Sequence, residues 1–256
     1  MTGRGGPVFD GARRIEMADA FQEGGEHYHR VRPGYPPESL EWLLEGRDPD
    51  AALDVLDVGA GTGKFTQLLD GRGWRVTAVD PSADMLAQLQ RNVPAARTLE
   101  GTAEHLDLAD HSIDLAVAAQ AWHWCEPLAA STELARVLRP GGTVGLVWNQ
   151  LDVGTPWVHR LARIMHAGDV HKPDFRPHVG PELKGLQCRQ TRWEQQATPE
   201  GLLELVKSRS YYLKAGEAIR AKVLANLHWY LFDHLGHTPG ENLALPYFTQ
   251  TWRAHT

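Results

Sequence analysis

The sequence predicts one α/β domain built on a doubly wound, mostly parallel sheet. The apolar run Leu53–Val58 has the pattern of a short strand, and the glycine-rich turn Gly59–Gly63 leads from it into a helical segment. A second strand, Arg75–Asp80, ends on an acid and is followed by a helix that Pro81 and Ser82 open. Strands that alternate with helices in this way form βαβ units, so their sheet is expected to be parallel.

The later part of the chain supplies the remaining strands of the predicted sheet. The run Ser112–Ala119 is almost continuously apolar, which is typical of a strand covered on both faces of a parallel sheet. Further strands are predicted over Arg97–Gly101, Thr143–Trp148, Gln187–Gln196 and Leu243–Trp252.

Helices are predicted where apolar residues recur every three to four positions. They cover Ala12–Glu26, Glu38–Leu44, Lys64–Leu69, the segment after Ser82, Leu128–Leu138, Pro156–His166, Pro199–Val206 and Ala218–Leu235. The last of these carries an apolar stripe from Ile219 to Leu231, which predicts burial. The prolines of His27–Pro37 predict an extended loop, and Arg139–Gly142 predicts a turn.

Composition and charge limit the classes of function. The formal net charge of -6 argues against a protein that binds nucleic acid by neutralising its phosphates with lysine and arginine. No segment has the length of a membrane span or the pattern of a secretory signal, and Cys125 and Cys188 lack disulfide or zinc-ligand spacing. We therefore expect a soluble cytoplasmic protein with reduced thiols that binds neither nucleic acid nor a membrane.

Histidine pairs raise the question of a metal site. His27 lies close to His29, and His234 lies close to His237. Neither pair has a third ligand at a telling spacing, so we predict that the protein binds no metal.

The glycine-rich turn carries the first sign of a cofactor. Its glycines follow the pattern Gly59-x-Gly61-x-Gly63, whereas a dinucleotide-binding turn needs glycine at the position of Lys64. Glycines permit positive φ and close approach of a ligand, and the N-terminus of the following helix favours a negative group such as a carboxylate.

Two acids accompany this turn. Asp80 ends the second strand, where it suits hydrogen bonds to the ribose hydroxyls of a nicotinamide dinucleotide or of S-adenosylmethionine (SAM). Asp57 comes directly before the turn, and together with the glycine spacing it favours SAM.

Five stretches of the sequence carry a family resemblance. They are Val55–Thr66, Ala78–Leu86, Gly101–Glu104, Ala119–Trp124 and Arg136–Gly142. In combination they resemble the class I SAM-dependent methyltransferases, specifically the small-molecule group that includes the trans-aconitate-type bacterial enzymes. The resemblance covers roughly residues 28 to 149, and it implies a Rossmann-like, seven-stranded methyltransferase sheet with SAM as cofactor.

The resemblance implies a cofactor site assembled from the loops that follow the strands. Its predicted members are Tyr28, Arg32, Asp57, Gly59, Ala60, Gly61, Asp80, Pro81, Met85, Thr102, Ala103, Glu104, Gln120 and Ala121. Asp57 and the glycines are expected beside the amino-acid part of SAM, and Asp80 beside its ribose. Met85 and the turn Thr102–Glu104 are expected to border the adenine, and Gln120 to face the sulfonium.

The resemblance also implies a lid before the first strand. Tyr28, Arg32 and Tyr35 would fold over the cofactor, with Arg32 against its carboxylate. Alternatively, both tyrosines pack on the edge of the sheet and Arg32 pairs with a surface acid. The predicted organisation is an N-terminal segment and lid over residues 1–37, a SAM-binding core over 38–150, and the rest of the sheet with a helical acceptor-binding cap over 151–256.

His123 is the candidate for an acid/base or substrate-orienting role. It follows the fourth strand, at the sheet edge where ligands bind in doubly wound folds. Trp122, His123 and Trp124 are the predicted substrate-binding residues. The alternative is that His123 bonds to the backbone and holds the two indoles, which then belong to the core or to a pocket wall.

The predicted function is methyl transfer from SAM to the O, N or C atom of a small molecule, such as a carboxylic acid or a natural product. The sequence has no Asn-Pro-Pro-Tyr or Asp-Pro-Pro-Tyr stretch of the kind that enzymes methylating nucleic acid amino groups display. Two alternatives stay open: a SAM-binding protein of the same fold that transfers no methyl group, and a nucleotide-cofactor oxidoreductase. A monomer or homodimer is expected.

Overall fold

The computed structural model describes residues 25–166 and 175–256. The predicted helix Ala12–Glu26 lies almost entirely outside these ranges, as does most of the predicted segment 1–37. Within the described residues, one sheet runs through the molecule and helices pack on its faces.

The sheet has seven strands in the described part of the chain. They are β1 (Asp54–Val58), β2 (Arg75–Asp80), β3 (Arg97–Glu100), β4 (Ile113–Ala119), β5 (Leu138–Leu151), β6 (Lys184–Ala197) and β7 (Leu243–His255). Their order across the sheet is β3-β2-β1-β4-β5-β7-β6. Strands β1 to β5 pair in parallel, whereas β7 runs antiparallel to both β5 and β6. The predicted doubly wound, mostly parallel, seven-stranded sheet is confirmed.

Helices alternate with these strands and continue late in the chain. They are α1 (Gly25–Val31), α2 (Pro37–Leu43), α3 (Thr66–Leu69), α4 (Ala83–Asn92), α5 (Pro127–Val137), α6 (Pro156–Ile164), α7 (Pro199–Lys207), α8 (Ser210–Lys214) and α9 (Glu217–His228). A π-helical segment, Trp229–His234, continues α9. Prolines start α2, α5, α6 and α7. The fixed φ of proline suits the first turn of a helix, and its missing N–H is not needed there, because N–H groups in the first turn have no acceptor within the helix.

Three apolar clusters hold the layers together. Successive residues of a strand point to opposite faces, so Val55 joins the cluster beneath α2 and α4, while Leu56 joins the cluster beneath α5. A third cluster joins α6, α7 and α9 to the ends of β5 and β7, around Leu227 and Tyr247. The carboxyl ends of the parallel strands therefore lie between the sheet core and a late helical layer.

The segment His27–Pro37 was predicted to be extended, and that prediction is wrong for its first part. Helix α1 covers Gly25–Val31, and the Arg32 N–H donates to the Tyr28 carbonyl at 3.0 Å. A proline restricts itself and the residue before it, so Pro33 leaves the preceding turn of helix intact. Only the short stretch before α2 is extended.

The predicted turn Arg139–Gly142 is instead an irregularity inside β5. Ile113 of β4 pairs with Leu138, and Leu115 pairs with Thr143, so four residues of β5 face a single residue of β4. Gly141 has a φ of +75°, which lets the extra residues loop out while the strand continues.

The predicted helix Ala218–Leu235 is also corrected in part. Its α-helical portion ends at His228, and the stripe is buried at Val223, Leu227 and Leu231 but not at Ile219, which is 46% exposed. Ile219 lies in the first turn of α9, outside the third apolar cluster. The short helix α8 between α7 and α9 was not predicted.

Candidate cofactor and acceptor site

The glycine turn after β1 fits closely against the loop after β4. Gly59 has a φ of +63°, and a Cβ atom on it would lie 2.5 Å from the Cβ of Ala121. Gly63, with a φ of +86°, would bring a Cβ within 2.9 Å of Leu89 in α4. Glycine is therefore required at both positions by backbone conformation and by contact.

Gly61 differs from its neighbours because its α-carbon faces open space. Its φ is +54°, yet no described atom lies within 4 Å of a Cβ built on it. Its N–H donates to Oδ2 of Asp80 at 2.9 Å. The backbone at Gly61 is thus accessible to a ligand that lies over the turn.

Asp80 ties the end of β2 to both the glycine turn and α4. Its Oδ1 accepts from the Ser82 N–H at 2.9 Å, and its Oδ2 accepts from Gly61. Burial raises the pKa of the Asp80 carboxyl, while these two N–H donors oppose that shift. Each carboxylate oxygen has a second lone pair, so the group can still accept hydroxyl donors.

Asp57 is the fully buried acid of the site. The Thr66 hydroxyl donates to its Oδ2 at 2.7 Å, whereas its Oδ1 accepts no hydrogen bond from any described residue. Burial, together with the charge of Asp80, raises the pKa of the Asp57 carboxyl to about 7. An unpartnered buried carboxylate oxygen suits a cationic amine such as the ammonium group of SAM.

The turn after β3 lies next to Asp80. The Gly101 N–H donates to the Asp80 carbonyl at 3.2 Å, and Ala103 is buried. Oε1 of Glu104 accepts from the Glu126 N–H at 2.6 Å, so this carboxylate holds the start of α5. The predicted contacts of Thr102, Ala103 and Glu104 with adenine stay predictions.

Gln120 directly follows β4 in a left-handed conformation, with a φ of +55°. Such a conformation costs a residue with a side chain about 1–2 kcal/mol, and two hydrogen bonds hold it here. The Gln120 N–H donates to the Val147 carbonyl at 2.8 Å, and its side-chain amide donates to the Asn149 carbonyl at 3.0 Å. The chain therefore turns sharply at the sheet edge where the acceptor is expected.

Trp122 and His123 occupy different environments. Trp122 is buried in the core, and its indole N–H donates to the His178 carbonyl at 2.8 Å. His123 is exposed, its ring lies 4.7 Å from that of Trp124, and its Nδ1 accepts from the indole N–H of Trp148 at 3.2 Å. In neutral His123 the proton is therefore on Nε2, which makes that nitrogen a donor.

The N-terminal segment lies over the glycine turn. His29 Nδ1 and Thr62 Oγ1 are 3.0 Å apart, and burial lowers the pKa of His29. Tyr35 packs edge-on against Phe65, with ring centroids 5.2 Å apart. These contacts do not decide between a lid over the cofactor and tyrosines packed on the edge of the sheet, so both stay predictions.

Arg32 contacts the carboxyl end of α7. Its guanidinium donates to the Ser208 carbonyl at 2.8 Å and lies 5.0 Å from the centroid of the Tyr28 ring. Within residues 25–166 and 175–256 no acid forms an ion pair with it. The predicted roles of Tyr28 and Arg32 in cofactor binding are not tested by these contacts and stay predictions.

Sequence reasoning missed Asn149, which joins three parts of the site. Its amide donates to the Gly34 carbonyl at 2.7 Å, and its Oδ1 accepts from the Thr249 hydroxyl at 2.6 Å. Its own carbonyl is the acceptor for Gln120. A polar residue directly after the predicted strand Thr143–Trp148 was the available signal.

Membrane-spanning helices and metal-ligand clusters are both absent from residues 25–166 and 175–256. No helix there is long and apolar enough to cross a membrane. Across the same residues, no three His, Cys, Asp or Glu side chains gather in a way that could hold a metal ion.

The strand order, the antiparallel β7 and the glycine turn flanked by Asp57 and Asp80 define a Rossmann-like protein of the SAM-dependent methyltransferase class. The Methyltransferase domain family matches residues 56–146. An uncharacterized methyltransferase of Mycobacterium bovis is 43% identical over 242 residues, which are 94% of this chain and 97% of that protein. The chain belongs to this methyltransferase family and is a SAM-dependent methyltransferase.

Two other similarities bear on fold and chemistry. A solved structure from Anaeromyxobacter dehalogenans, assigned as a type II methyltransferase, matches this chain with a TM-score of 0.67 and 26% sequence identity. The match covers 88% of this chain and 97% of the chain from Anaeromyxobacter dehalogenans. The malonyl-[acyl-carrier protein] O-methyltransferase of Pectobacterium atrosepticum is 43% identical over 129 residues, half of this chain and 51% of that protein. The finer resemblance to trans-aconitate-type enzymes stays a prediction.

Proposed function

We propose that this enzyme methylates a small-molecule acceptor. The observation that carries the proposal is the pair of buried acids, Asp57 and Asp80, on either side of an open glycine turn. When bound there, SAM supplies an electrophilic methyl group on its sulfonium. We expect Oδ1 of Asp57 to accept from the cofactor's ammonium and the carboxylate of Asp80 to accept from its ribose hydroxyls.

The other predicted cofactor contacts belong to the same proposal. Met85 and the turn Thr102–Glu104 follow β2 and β3, so we expect them to border the adenine. Gln120 and Ala121 follow β4 beside Gly59, and we expect them to bound the space where the methyl group and acceptor meet. Closing helices over that space excludes water from the transfer.

A small acceptor with an oxygen nucleophile, such as a carboxylic acid, is favoured by two observations. The relative from Pectobacterium atrosepticum is named as an O-methyltransferase, although it matches only half of the chain. The net charge of -6 disfavours nucleic acid as the acceptor. A carboxylate is ionised at neutral pH and needs no general base before it attacks.

His123 is proposed to orient the acceptor. Its Nδ1 lone pair is engaged by the Trp148 N–H, so a neutral His123 has no other lone pair with which to take a proton. Its Nε2–H can donate to an acceptor oxygen and hold that oxygen in line with the methyl group.

Two measurements test the proposal. Calorimetric titration with SAM, S-adenosylhomocysteine and NADH should give binding of the first two only. Incubation with methyl-labelled SAM and a cell extract should place the label in products of low molecular mass. Binding of SAM without any labelled product would favour the same-fold protein that transfers no methyl group, and label only in nucleic acid or protein would contradict a small-molecule acceptor.

A further inference from the structure

Strand β6 is a long edge of the sheet. It covers Lys184–Ala197, 14 residues, and among the described strands it pairs with β7 alone. Most of its side chains are exposed, and it contains no proline. The opposite edge, β3, has only 4 residues, and very short edge strands are one way in which proteins avoid pairing with other chains. Neither shortness nor proline protects β6, which therefore offers a template for a further strand.

The outward backbone groups of β6 are open to such a strand. In an antiparallel pair, alternate residues direct both their N–H and their C=O away from the neighbouring strand. From Thr191 to Gln196, no described residue outside β7 bonds to the backbone of β6. The pairing with β7 is irregular only between Lys184 and Gln187, so the remainder of β6 is a regular strand. Its outward N–H and C=O groups are satisfied by water or by a strand from another chain.

Two opposite charges lie on one face of this edge. Arg192 and Glu194 are both exposed, and the alternation of side chains along a strand puts them on the face opposite to that of Trp193. Nε of Arg192 lies 3.6 Å from Oδ2 of Asp152, in an ion pair whose arginine side chain is 78% exposed and which therefore contributes little. Glu194 has no ion-pair partner within residues 25–166 and 175–256. Both charges can therefore pair with charges on an added strand.

The arrangement of these charges makes β6 complementary to a second copy of itself. A two-fold axis at Trp193 places Arg192 of each copy opposite Glu194 of the other, which gives two ion pairs. Residues directly opposite in an antiparallel pair have Cβ atoms about 4.5–5.5 Å apart, which suits opposite charges and penalises like ones. An axis moved by one residue would place Arg192 opposite Arg192, or Glu194 opposite Glu194. The charges therefore favour the register centred on Trp193 over the registers on either side.

Trp193 suits the position on the axis. It is half-buried, and its ring stacks on that of Tyr247 in β7 with centroids 5.1 Å apart. The indole N–H donates to the Thr249 hydroxyl at 2.8 Å, so the side chain is held in place before any pairing. In the favoured register the two Trp193 side chains lie on the same face, where aromatic cross-strand pairs stabilise a sheet.

We propose that β6 is a dimerisation edge, at which two copies of this chain pair antiparallel about Trp193 and join their sheets into one. Each copy contributes the same strand, so the contact is isologous and closes as a dimer. Three strands separate β6 from β1, whose following turn is the cofactor turn, so pairing at this edge leaves that turn uncovered. The inference concerns assembly, and its test does not depend on methyl transfer.

Analytical ultracentrifugation of the full chain at micromolar concentration measures the dimer. Wild type should sediment with twice the mass of one chain. Arg192→Glu and Glu194→Arg each place like charges opposite one another, so each should raise the dissociation constant of the dimer about tenfold. The double variant Arg192→Glu/Glu194→Arg restores opposite charges and should dimerise like wild type, which also excludes misfolding as the cause of the single-variant effects.

Arg97→Glu is the matched control, because it makes the same charge change at an exposed residue of the other edge strand, β3, and it should dimerise like wild type. A monomeric wild type overturns the inference, as does a dimer that both single reversals leave intact. Weakening by Arg97→Glu equal to that by Arg192→Glu would trace the effect to net charge, and a single-variant effect without rescue in the double variant would exclude this register. Either result also overturns the inference.

Cysteine cross-linking tests the register directly. In a Cys188→Ser background, chains with Arg192→Cys are mixed with chains carrying Glu194→Cys and are then oxidised. The mixed dimer brings the two new thiols opposite one another and retains one ion pair, so a disulfide should join the two kinds of chain. Each kind alone should form far less. Equal cross-linking in the mixed and the separate samples, or none in the mixture, contradicts pairing about Trp193.

Discussion

The indole N–H of Trp148 donates to Nδ1 of His123 across 3.2 Å, joining the last residues of the predicted fifth strand to the loop after β4. This bond occupies the lone pair of Nδ1, so a neutral His123 carries its proton on Nε2. The bond therefore favours a role for His123 as a hydrogen-bond donor to the acceptor.

Replacing His123 tests that role. His123→Ala should lower methyl transfer about tenfold, because one hydrogen bond to the acceptor is lost, whereas His123→Gln retains a donor and should lose less. Transfer is measured with methyl-labelled SAM, and affinity for S-adenosylhomocysteine serves as the control and should not change. Undiminished transfer by His123→Ala would eliminate the role.

Trp148→Phe separates orientation from base catalysis. The substitution removes the Trp148 donor from Nδ1 of His123, so the imidazole can carry its proton on either nitrogen and presents an Nε2–H less often. Transfer should fall severalfold, by less than in His123→Ala. A rise in transfer would instead indicate that His123 works as a base that Trp148 restrains.

Asp57→Asn should remove a pH dependence of stability. Folding raises the pKa of this carboxyl from its ordinary 3.8 to about 7, so the folded chain retains a proton that the unfolded chain has released. The stabilisation by the protonated form is present below about pH 4 and is lost as pH rises through about 7. Urea unfolding measures the free energy of unfolding across this range. That free energy should decline less with pH in Asp57→Asn than in wild type, and at alkaline pH it should be larger in Asp57→Asn.

The same variant should bind the cofactor less well. An ionised Asp57 attracts the ammonium of S-adenosylhomocysteine, so wild-type affinity should increase with pH through about 7, and Asp57→Asn should lose both the increase and about tenfold in affinity. Asp70→Asn, on the exposed stretch after α3, is the control and should follow wild type. A pH-independent affinity in wild type would contradict the assignment.

Three glycine variants distinguish strain, contact and ligand access. Gly71 has a φ of +71° and no described atom within 4 Å of a Cβ, so Gly71→Ala measures the conformational cost alone, about 1 kcal/mol of unfolding free energy. Gly61→Ala should cost the same but abolish detectable S-adenosylhomocysteine binding. Gly59→Ala should cost more, because its methyl group collides with Ala121. Wild-type binding by Gly61→Ala would show that the ligand does not cross the turn there.

Asn149→Ala should loosen the N-terminal segment. It removes the donor to the carbonyl of Gly34, an exposed residue, and the acceptor for the buried Thr249 hydroxyl, and should cost about 1–3 kcal/mol of unfolding free energy. Hydrogen exchange across residues 28–36 should accelerate, while Thr249→Ser, which keeps its hydroxyl, should not accelerate it. Unchanged exchange in Asn149→Ala would mean that other contacts hold the segment.

The sequence predicts the backbone conformation and the burial of a residue well where the type of that residue determines them. Gly59 and Gly63 have positive φ, and the apolar run before Ala119 forms a buried strand, because these properties belong to the residues themselves. The partners of Asn149 and Arg32 were not predictable. Among them are Gly34 and Ser208, which lie 115 and 176 positions away, and periodicity and turn chemistry do not report such distant contacts.

Sequence reasoning also overstated the influence of prolines and of a glycine pair. Pro33 restricts too few residues to unwind α1, and Gly141 with Gly142 permits a bulge where a turn was expected. In both cases pairing or packing elsewhere in the fold determines the conformation, while the local residue only allows it.

The hydrogen bond from Arg32 to Ser208 spans 176 positions of the chain. Contacts of such long range form late, since a long loop must be closed before they contribute, and the N-terminal part of a chain leaves the ribosome first. Strands β1 to β4 can thus pair and shape the cofactor turn while residue 208 is still to be synthesised. Arg32 reaches its acceptor only afterwards, so the connection between the N-terminal segment and the late helices is the last of these contacts to form.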